Sequence, residues 1–338
     1  MAVRIAKVAV LVLLAIIFAG VILWGTAALY FAAPATPAVR AGLAGAFALI
    51  GLAALATPFV KHWRRPVLAA FLASFGLLLG WWATLEPSNQ RDWPPEVAVM
   101  PYADLDGDLV TVRNVRNFDY RSESDFTPRY YDKTYDLRKL ESVDLFAVYW
   151  MGPHIAHTIL SFGFEGGEQL AVSIETRKEK NESYSALGGF FRQYELFYVV
   201  ADERDVIRLR TNYRKDPPED VYLYRLHGPA ENGRRLLREY LHKINSLRSE
   251  PEFYNTLTAN CTGNIWLHSR VNPGHLPFSW KLLASGHVPE YLHQAGKLDP
   301  HGSFAELAQR SHINARAQAA DKAEDFSRRI RLTAVAAR

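Results

Sequence analysis

Three long uncharged apolar runs occupy the start of this chain and restrict its fold more than any other feature. Residues 8–39 carry no charge, and Val8 to Phe31 is apolar nearly throughout; Ala41 to Val60 is a second such run and Pro66 to Leu85 a third. A hydrocarbon core of about 30 Å is crossed by a helix of about 20 apolar residues, so each run is long enough to span. The first is too long for the apolar stretch of a signal peptide, and Leu23-Trp24-Gly25-Thr26 continues into more apolar sequence. Three transmembrane helices are the expectation.

Lysine and arginine in the short loops orient them. Arg4 and Lys7 precede the first run, and Lys61, His62, Arg64 and Arg65 lie between the second and third, whereas Ala32 to Arg40 offers only Arg40. The positive-inside rule places the N-terminus and the second loop in the cytoplasm and everything after Leu85 outside. Trp24, Tyr30, Trp63, Trp81 and Trp82 sit near the helix ends, as an aromatic belt does. The expected organisation is a membrane domain over 1–85, a polar linker over 86–100, an extracytoplasmic domain over 101–300 and a helical tail over 301–338. A formal charge of +4, with acids and bases interleaved, argues against a nucleic-acid partner and suits a surface near anionic lipid.

The later sequence reads as strands before helices. Asp108 to Asp119, Tyr130 to Leu137, Val143 to Trp150, Leu196 to Ala201, Val206 to Thr211 and Val221 to Leu226 are strand-like. Ile155 to Phe164 and Gln169 to Thr176 flank Glu165-Gly166-Gly167-Glu168, a hairpin signal. Asp104-Leu105-Asp106-Gly107-Asp108 has its glycine in the wrong place for a calcium loop and reads as a tight turn. Tyr184 to Tyr194 suggests a short helix or loop. Arg234 to Leu247 has helical period, and Phe304 to Ile330 reads as a polar, alanine-rich helical tail. The expected class is α+β, with a mainly antiparallel sheet packed on helices.

Cys261 is the only cysteine, at the apparent start of a helix after a turn-like, hydroxyl-rich stretch. A thiol there faces unpaired N–H groups and the positive end of the helix dipole, which favour the thiolate. A lone cysteine is more often a small buried hydrophobe. In an oxidising compartment, though, a thiol with no disulfide partner is a liability unless buried or used. A catalytic thiolate needs a base, usually histidine, and a third group to orient the ring. His157 is embedded in an apolar strand, where an unpartnered imidazole is costly. The hairpin returns Glu175, Thr176 or Arg177 opposite it, and register alone leaves the choice open. Glu175 is the expected orienting group, against its ordinary use as a surface carboxylate paired to Arg177 or Lys178. Asn260 is expected to help stabilise an oxyanion, by its side chain or by shaping the turn that aims the Cys261 N–H, against simple helix capping. No zinc pattern is present, and no metal or cofactor is expected.

Several blocks together resemble the Lnb N-terminal periplasmic domain family. They are Ala156-His157-Thr158-Ile159-Leu160-Ser161-Phe162, Ser173-Ile174-Glu175-Thr176-Arg177-Lys178, Tyr198 to Asp205, Leu209-Arg210-Thr211-Asn212 and Phe253 to Thr262, in a region from about Ser142 to Leu292. The resemblance implies a circularly permuted papain- or NlpC-like fold in which the histidine precedes the cysteine, as His157 precedes Cys261 here. It also implies a Cys–His enzyme of the bacterial inner membrane with its catalytic domain in the periplasm. The family's type is a lipoprotein N-acyltransferase that carries its membrane helices after the domain, whereas here they come first. The implied activity is transfer of an acyl chain from a phospholipid donor, through a Cys261 thioester, to a lipoprotein or other membrane-linked acceptor. The alternatives are a papain-like peptidase or amidase acting on cell-wall peptide or envelope protein, and a non-catalytic envelope scaffold.

Overall fold

The computed structural model describes residues 1–59 and 61–332. Val60, at the end of the second apolar run, and residues 333–338 of the expected tail lie outside the described residues. The chain divides into two compact units, Met1–Ser88 with Ser183–Tyr194, and Asn89–Glu182 with the chain from Glu195 onward.

The first unit holds α1 (Ala2–Ala32), α2 (Pro37–Leu55) and α3 (Arg64–Ala83). All three are long and apolar enough to cross a membrane. They bury only a narrow seam that includes Ile22, Phe47, Phe71 and Leu78. Helices α1 and α2 approach closely at Gly25 and Gly51, where a Cβ would come within 2.4 Å of Phe47 and 2.7 Å of Ile22. Small residues at such contacts are how helices pack in lipid. Elsewhere large side chains point outward, Leu11 at 65% and Leu77 at 77% exposure, a surface that water disfavours and hydrocarbon accepts. Ser183–Tyr194 forms turns with one 3₁₀ turn at Gly188–Phe190. Within this unit Phe191 stacks on Phe31 with ring centroids 5.7 Å apart, and Arg192 Nη1 donates to the Trp82 carbonyl at 3.0 Å.

The second unit is built on β1 (Tyr102–Asp106), β2 (Leu109–Arg116), β3 (Asp119–Tyr120), β4 (Phe126–Thr127), β5 (Tyr130–Asp136), β6 (Leu140–Tyr149), β7 (Ala156–Phe164), β8 (Gln169–Arg177), β9 (Glu195–Ala201) and β10 (Asp220–Arg225). Eight of them form one sheet, in the order β1-β2-β9-β8-β7-β6-β10 with β5 on β2, while β3 and β4 pair separately. Pairing is antiparallel except for the single parallel bridge between β2 and β9. The expected α+β class with a mainly antiparallel sheet is what the chain adopts. Asp104 to Asp106 end β1, and Gly107-Asp108 make the tight β1–β2 turn, with Gly107 at φ +59°. The β7–β8 turn places Gly166 and Gly167 at φ +84° and +85°, which glycine reaches without strain.

The helices are the short α4 (Pro95–Ala98), then α5 (Glu203–Arg208), α6 (Ala230–Ser249), α7 (Cys261–Ser269), α8 (Val288–Gln294), α9 (Phe304–Ser311), α10 (Asn314–Ala319) and α11 (Phe326–Arg329). They cover both faces of the sheet, so the central strands are buried throughout rather than in alternation. On one face Tyr240 of α6 meets Phe162 and Tyr198 edge-on. On the other, Val206, Ile207, Ala317 and Phe326 join Phe146, Ile159 and Val199 in the core.

Two expectations change. Val206 to Thr211 is not a strand: it lies in α5 and the π-helical turn Leu209–Tyr213 that follows. The acidic cluster read as a turn is a helix start, with Asp202 capping the Arg204 N–H at 2.9 Å and Glu203 and Asp205 in the first turn, where the dipole favours them. The expected polar tail is instead three short helices, and Ile313, Ala317, Ala320, Phe326 and Ile330 bury their side chains in the domain core. Its apolar residues are few but fall on the covered side.

Candidate active site

The β7–β8 ladder ends at the Ile159–Ser173 pair. Continued two residues further, its register sets His157 opposite Glu175, and both share a face with Ser173 because alternate residues point the same way. The His157 side chain is nearly buried, and that of Glu175 is 25% exposed. Their contacts form a short chain. The Ser173 hydroxyl donates to Glu175 Oε1 at 2.7 Å and lies 2.7 Å from His157 Nε2, so it accepts the proton on Nε2. Glu175 Oε1 also lies 3.2 Å from that nitrogen. With Nε2 committed to this pair, Nδ1 is the ring nitrogen left for the thiol.

Arg210 secures the carboxylate from behind. Its Nη2 donates to Glu175 Oε1 at 2.9 Å, and its Nη1 donates to Glu219 at 3.3 Å. Glu219 is also held by Arg214 Nη1 at 3.0 Å. The π-helical turn carries Arg210, and such wide turns recur where a side chain must be aimed into a site.

Cys261 is the first residue of α7 and is partly exposed. Its Sγ lies 3.8 Å from Thr262 Oγ1, and the Thr262 hydroxyl meets that of Thr158 at 3.1 Å. Desolvation works against the thiolate. The charge of His157, the hydrogen bond between the two side chains, and the N–H and hydroxyl of Thr158 outweigh it and bring the thiol down to about 6. For His157, desolvation opposes protonation, but the negative charge of Glu175 dominates and raises the ring to about 9, with Arg210 opposing and Cys261 assisting. Desolvation likewise disfavours the charged Glu175, yet His157 and Arg210 hold its carboxyl well below the usual range. At neutral pH the thiol and imidazole form a thiolate–imidazolium pair.

Asn260 caps α7. Its Oδ1 accepts from the Gly263 N–H at 2.7 Å, and its Nδ2 donates to the Thr256 carbonyl at 2.7 Å. One hydrogen of that amide is used within the loop, an arrangement that serves the cap and shapes the turn leading into Cys261. Asn260→Ala is expected to lower stability by about 0.5–2 kcal/mol with near-normal turnover, by denaturant unfolding alongside kinetics. A fall in turnover of about 10²–10³ at unchanged stability would instead make Asn260 an oxyanion donor.

The other histidines lie apart from this pair. His268, two turns along α7, is buried, meets the Tyr198 hydroxyl through Nε2 at 2.7 Å, and is pushed down to about 4 by burial and by Lys243. It is neutral and structural. His154 and His287 meet each other at 2.9 Å. No group of three or more metal-ligating side chains occurs among the described residues.

Ser173, Arg210, Thr158 and Thr262 were not singled out from the sequence, though all fall inside the quoted blocks. Arg210 carried the clearest signal, a charge within an apolar segment. Next to Cys261, a mainly apolar cavity of about 200 Å³ lies between the sheet, α6 and α7, with Thr158 and Thr262 in its wall.

Residues 126–286 match the family model of the Lnb N-terminal periplasmic domain. Comparison with curated proteins and with solved structures gives no match. The matched span holds His157, Ser173, Glu175, Arg210 and Cys261 together. The three membrane-length helices precede it, so the arrangement is that of a membrane-anchored envelope protein. Over residues 126–286 this chain is therefore similar to the Lnb N-terminal periplasmic domain.

Proposed function

We propose that this protein is a membrane-anchored cysteine acyltransferase that moves an acyl chain from phospholipid to a membrane-linked acceptor, of the lipoprotein N-acyltransferase kind. The observation that carries this reading is the pairing of Cys261, lowered to about 6, with His157, raised to about 9.

The chemistry proceeds in two halves. Thiolate Sγ attacks the ester carbonyl carbon of the donor; the C–S bond forms and the ester C–O bond breaks. The leaving alkoxide takes its proton from the His157 imidazolium, giving a lysophospholipid and an acyl thioester. The acceptor amine then attacks the thioester carbonyl. The C–N bond forms, the C–S bond breaks and returns the thiolate, and the proton lost by nitrogen goes to His157. Ser173 and Glu175 hold the ring and stabilise its charged state throughout. The unpaired N–H groups of the first turn of α7 are the natural stabilisers of the tetrahedral oxyanion.

The same dyad would serve a peptidase or amidase. Two features favour lipid: the three membrane-length helices, which hold a thiol near membrane substrates and replace a bimolecular search with a local one, and the mainly apolar cavity next to Cys261. The test is the intact mass of the full-length protein after incubation with phospholipid. A hydroxylamine-sensitive adduct of acyl mass on Cys261 is expected. A peptide adduct with no lipid adduct would replace this reading with the amidase.

The reading includes a location, with the N-terminus in the cytoplasm and the catalytic domain in the periplasm at the inner membrane. The loop charges support it. A reporter active only in the periplasm, fused after Arg338, is expected to work and a cytoplasm-only reporter to fail. The reverse would put the thiol in a reducing compartment, away from the outer-leaflet lipid that the reaction requires.

A further inference from the structure

We propose that the apolar cavity alongside α7 receives the acyl chain of the Cys261 thioester, and that residues on one face of α7 set the chain length it accepts. The inference rests on the acyl-transfer reading above and assigns the place where the chain is held.

The cavity's position supports this first. Its wall includes Thr158 and Thr262, the chain neighbours of His157 and Cys261, whose hydroxyls meet at 3.1 Å. Thr262 Oγ1, in that wall, lies 3.8 Å from the Cys261 Sγ, so the cavity begins one side chain from the nucleophile. From α7 it is lined by Thr262, Ile265, Trp266 and Ser269, whose spacing of three, one and three residues puts them on one helical face. At 1.5 Å per residue, Ile265 and Ser269 lie about 6 Å and about 12 Å along the axis from Cys261. The cavity thus runs beside the helix for two turns, starting at the sulfur's own end.

Its chemistry supports it next. Opposite α7 the wall includes Leu145 and Leu160 from the sheet, Leu236 from α6, Leu282 from the turn before α8 and Val288 of α8, with Asn232, Asn272 and His275 among its fewer polar members. An alkyl chain gains from leaving water for such a lining and asks for no hydrogen bonds. A single apolar side chain, moreover, fills about one helical turn rather than two. The Trp266 indole is itself fixed, its Nε1 donating to the Leu276 carbonyl at 2.9 Å, so this part of the wall is held in place.

The test uses the full-length protein in nanodiscs with acetyl, octanoyl and palmitoyl p-nitrophenyl esters, reading the p-nitrophenolate burst and the adduct mass at Cys261. Iodoacetamide alkylation reports the thiol itself. Wild type is expected to acylate faster with the longer chains. Ile265→Phe, close to the sulfur, is expected to lower both the octanoyl-to-acetyl and the palmitoyl-to-acetyl rate ratios by about tenfold or more. Ser269→Phe, a turn further on, is expected to lower the palmitoyl ratio and spare the octanoyl one. If Ile265→Phe loses iodoacetamide reactivity through misfolding, Ser269→Phe decides the matter alone. Ratios unchanged in the deciding variant, with Cys261 still acylated, would overturn the cavity assignment and leave acyl transfer standing. Alkylation by iodoacetamide with no acylation by any ester would overturn acyl transfer and this inference together. Loss of reactivity toward an aromatic amino-acid ester, with acyl ratios unchanged, would assign the cavity to a peptide side chain instead.

Discussion

Cys261→Ala is expected to abolish the phospholipid-dependent acyl adduct and to reduce acyl transfer by about 10⁴-fold or more, since removing a nucleophile removes the covalent route. The domain should still fold. Cys261 is partly exposed at the first position of α7, so shortening it leaves no large buried void, and the α7 cap from Asn260 to Gly263 is untouched. Cys261→Ser is expected to be nearly as inactive, because a hydroxyl in the same place does not ionise near neutral pH. The checks are complementation of a deletion strain, adduct mass, and a thermal melt of each variant. A melt near that of wild type with activity lost is the expected pair of results. Retained activity in Cys261→Ala would end the thiol mechanism.

The second large effect is in the pH dependence. The thiolate is present above about 6 and the imidazolium below about 9, so the ion pair exists between these limits. Alkylation of wild type by iodoacetamide should rise with a midpoint near 6, and kcat/KM for acyl transfer should rise through that value and fall as pH passes about 9. His157→Asn removes the positive charge that outweighs desolvation of the thiolate. The alkylation midpoint should then move up toward the ordinary cysteine value of about 8.5, slowing reaction at pH 6.5 by roughly two orders of magnitude. Glu175 stays charged through this whole window, held low by His157 and Arg210, so the acidic limb belongs to the thiol–imidazole pair. A midpoint near 8.5 in wild type, unmoved by His157→Asn, would show that the two side chains do not act together.

Parts of the fold were legible for definite physical reasons. The β7–β8 hairpin was readable because two glycines mark a turn between apolar runs, and the α7 start because a capping Asn precedes Cys261. The segment Val206 to Thr211 misled because its branched residues suit a strand, while the deciding feature was the Asp202 cap on the backbone just before it. The final helices were read as a polar tail because their few apolar side chains are diluted by alanine and charge. Their burial depends on which face the sheet presents, and local sequence carries no trace of that.

The sequence by itself determined the three membrane-length helices, the α+β class, and the identity of the thiol and of the histidine embedded in a strand. Each follows from composition and local period, or from blocks of sequence that resemble a family. Tertiary structure decided what those residues can do. Strand register chose Glu175 among three candidates, because a step of one residue turns a side chain to the opposite face. The π-helical turn after α5 delivered Arg210 to Glu175 from 35 residues away. Burial and the charges gathered around the site moved the ionisation of Cys261 and His157 in opposite directions. None of these is a local property: desolvation and Coulomb energy depend on distances between segments that only the folded chain brings together.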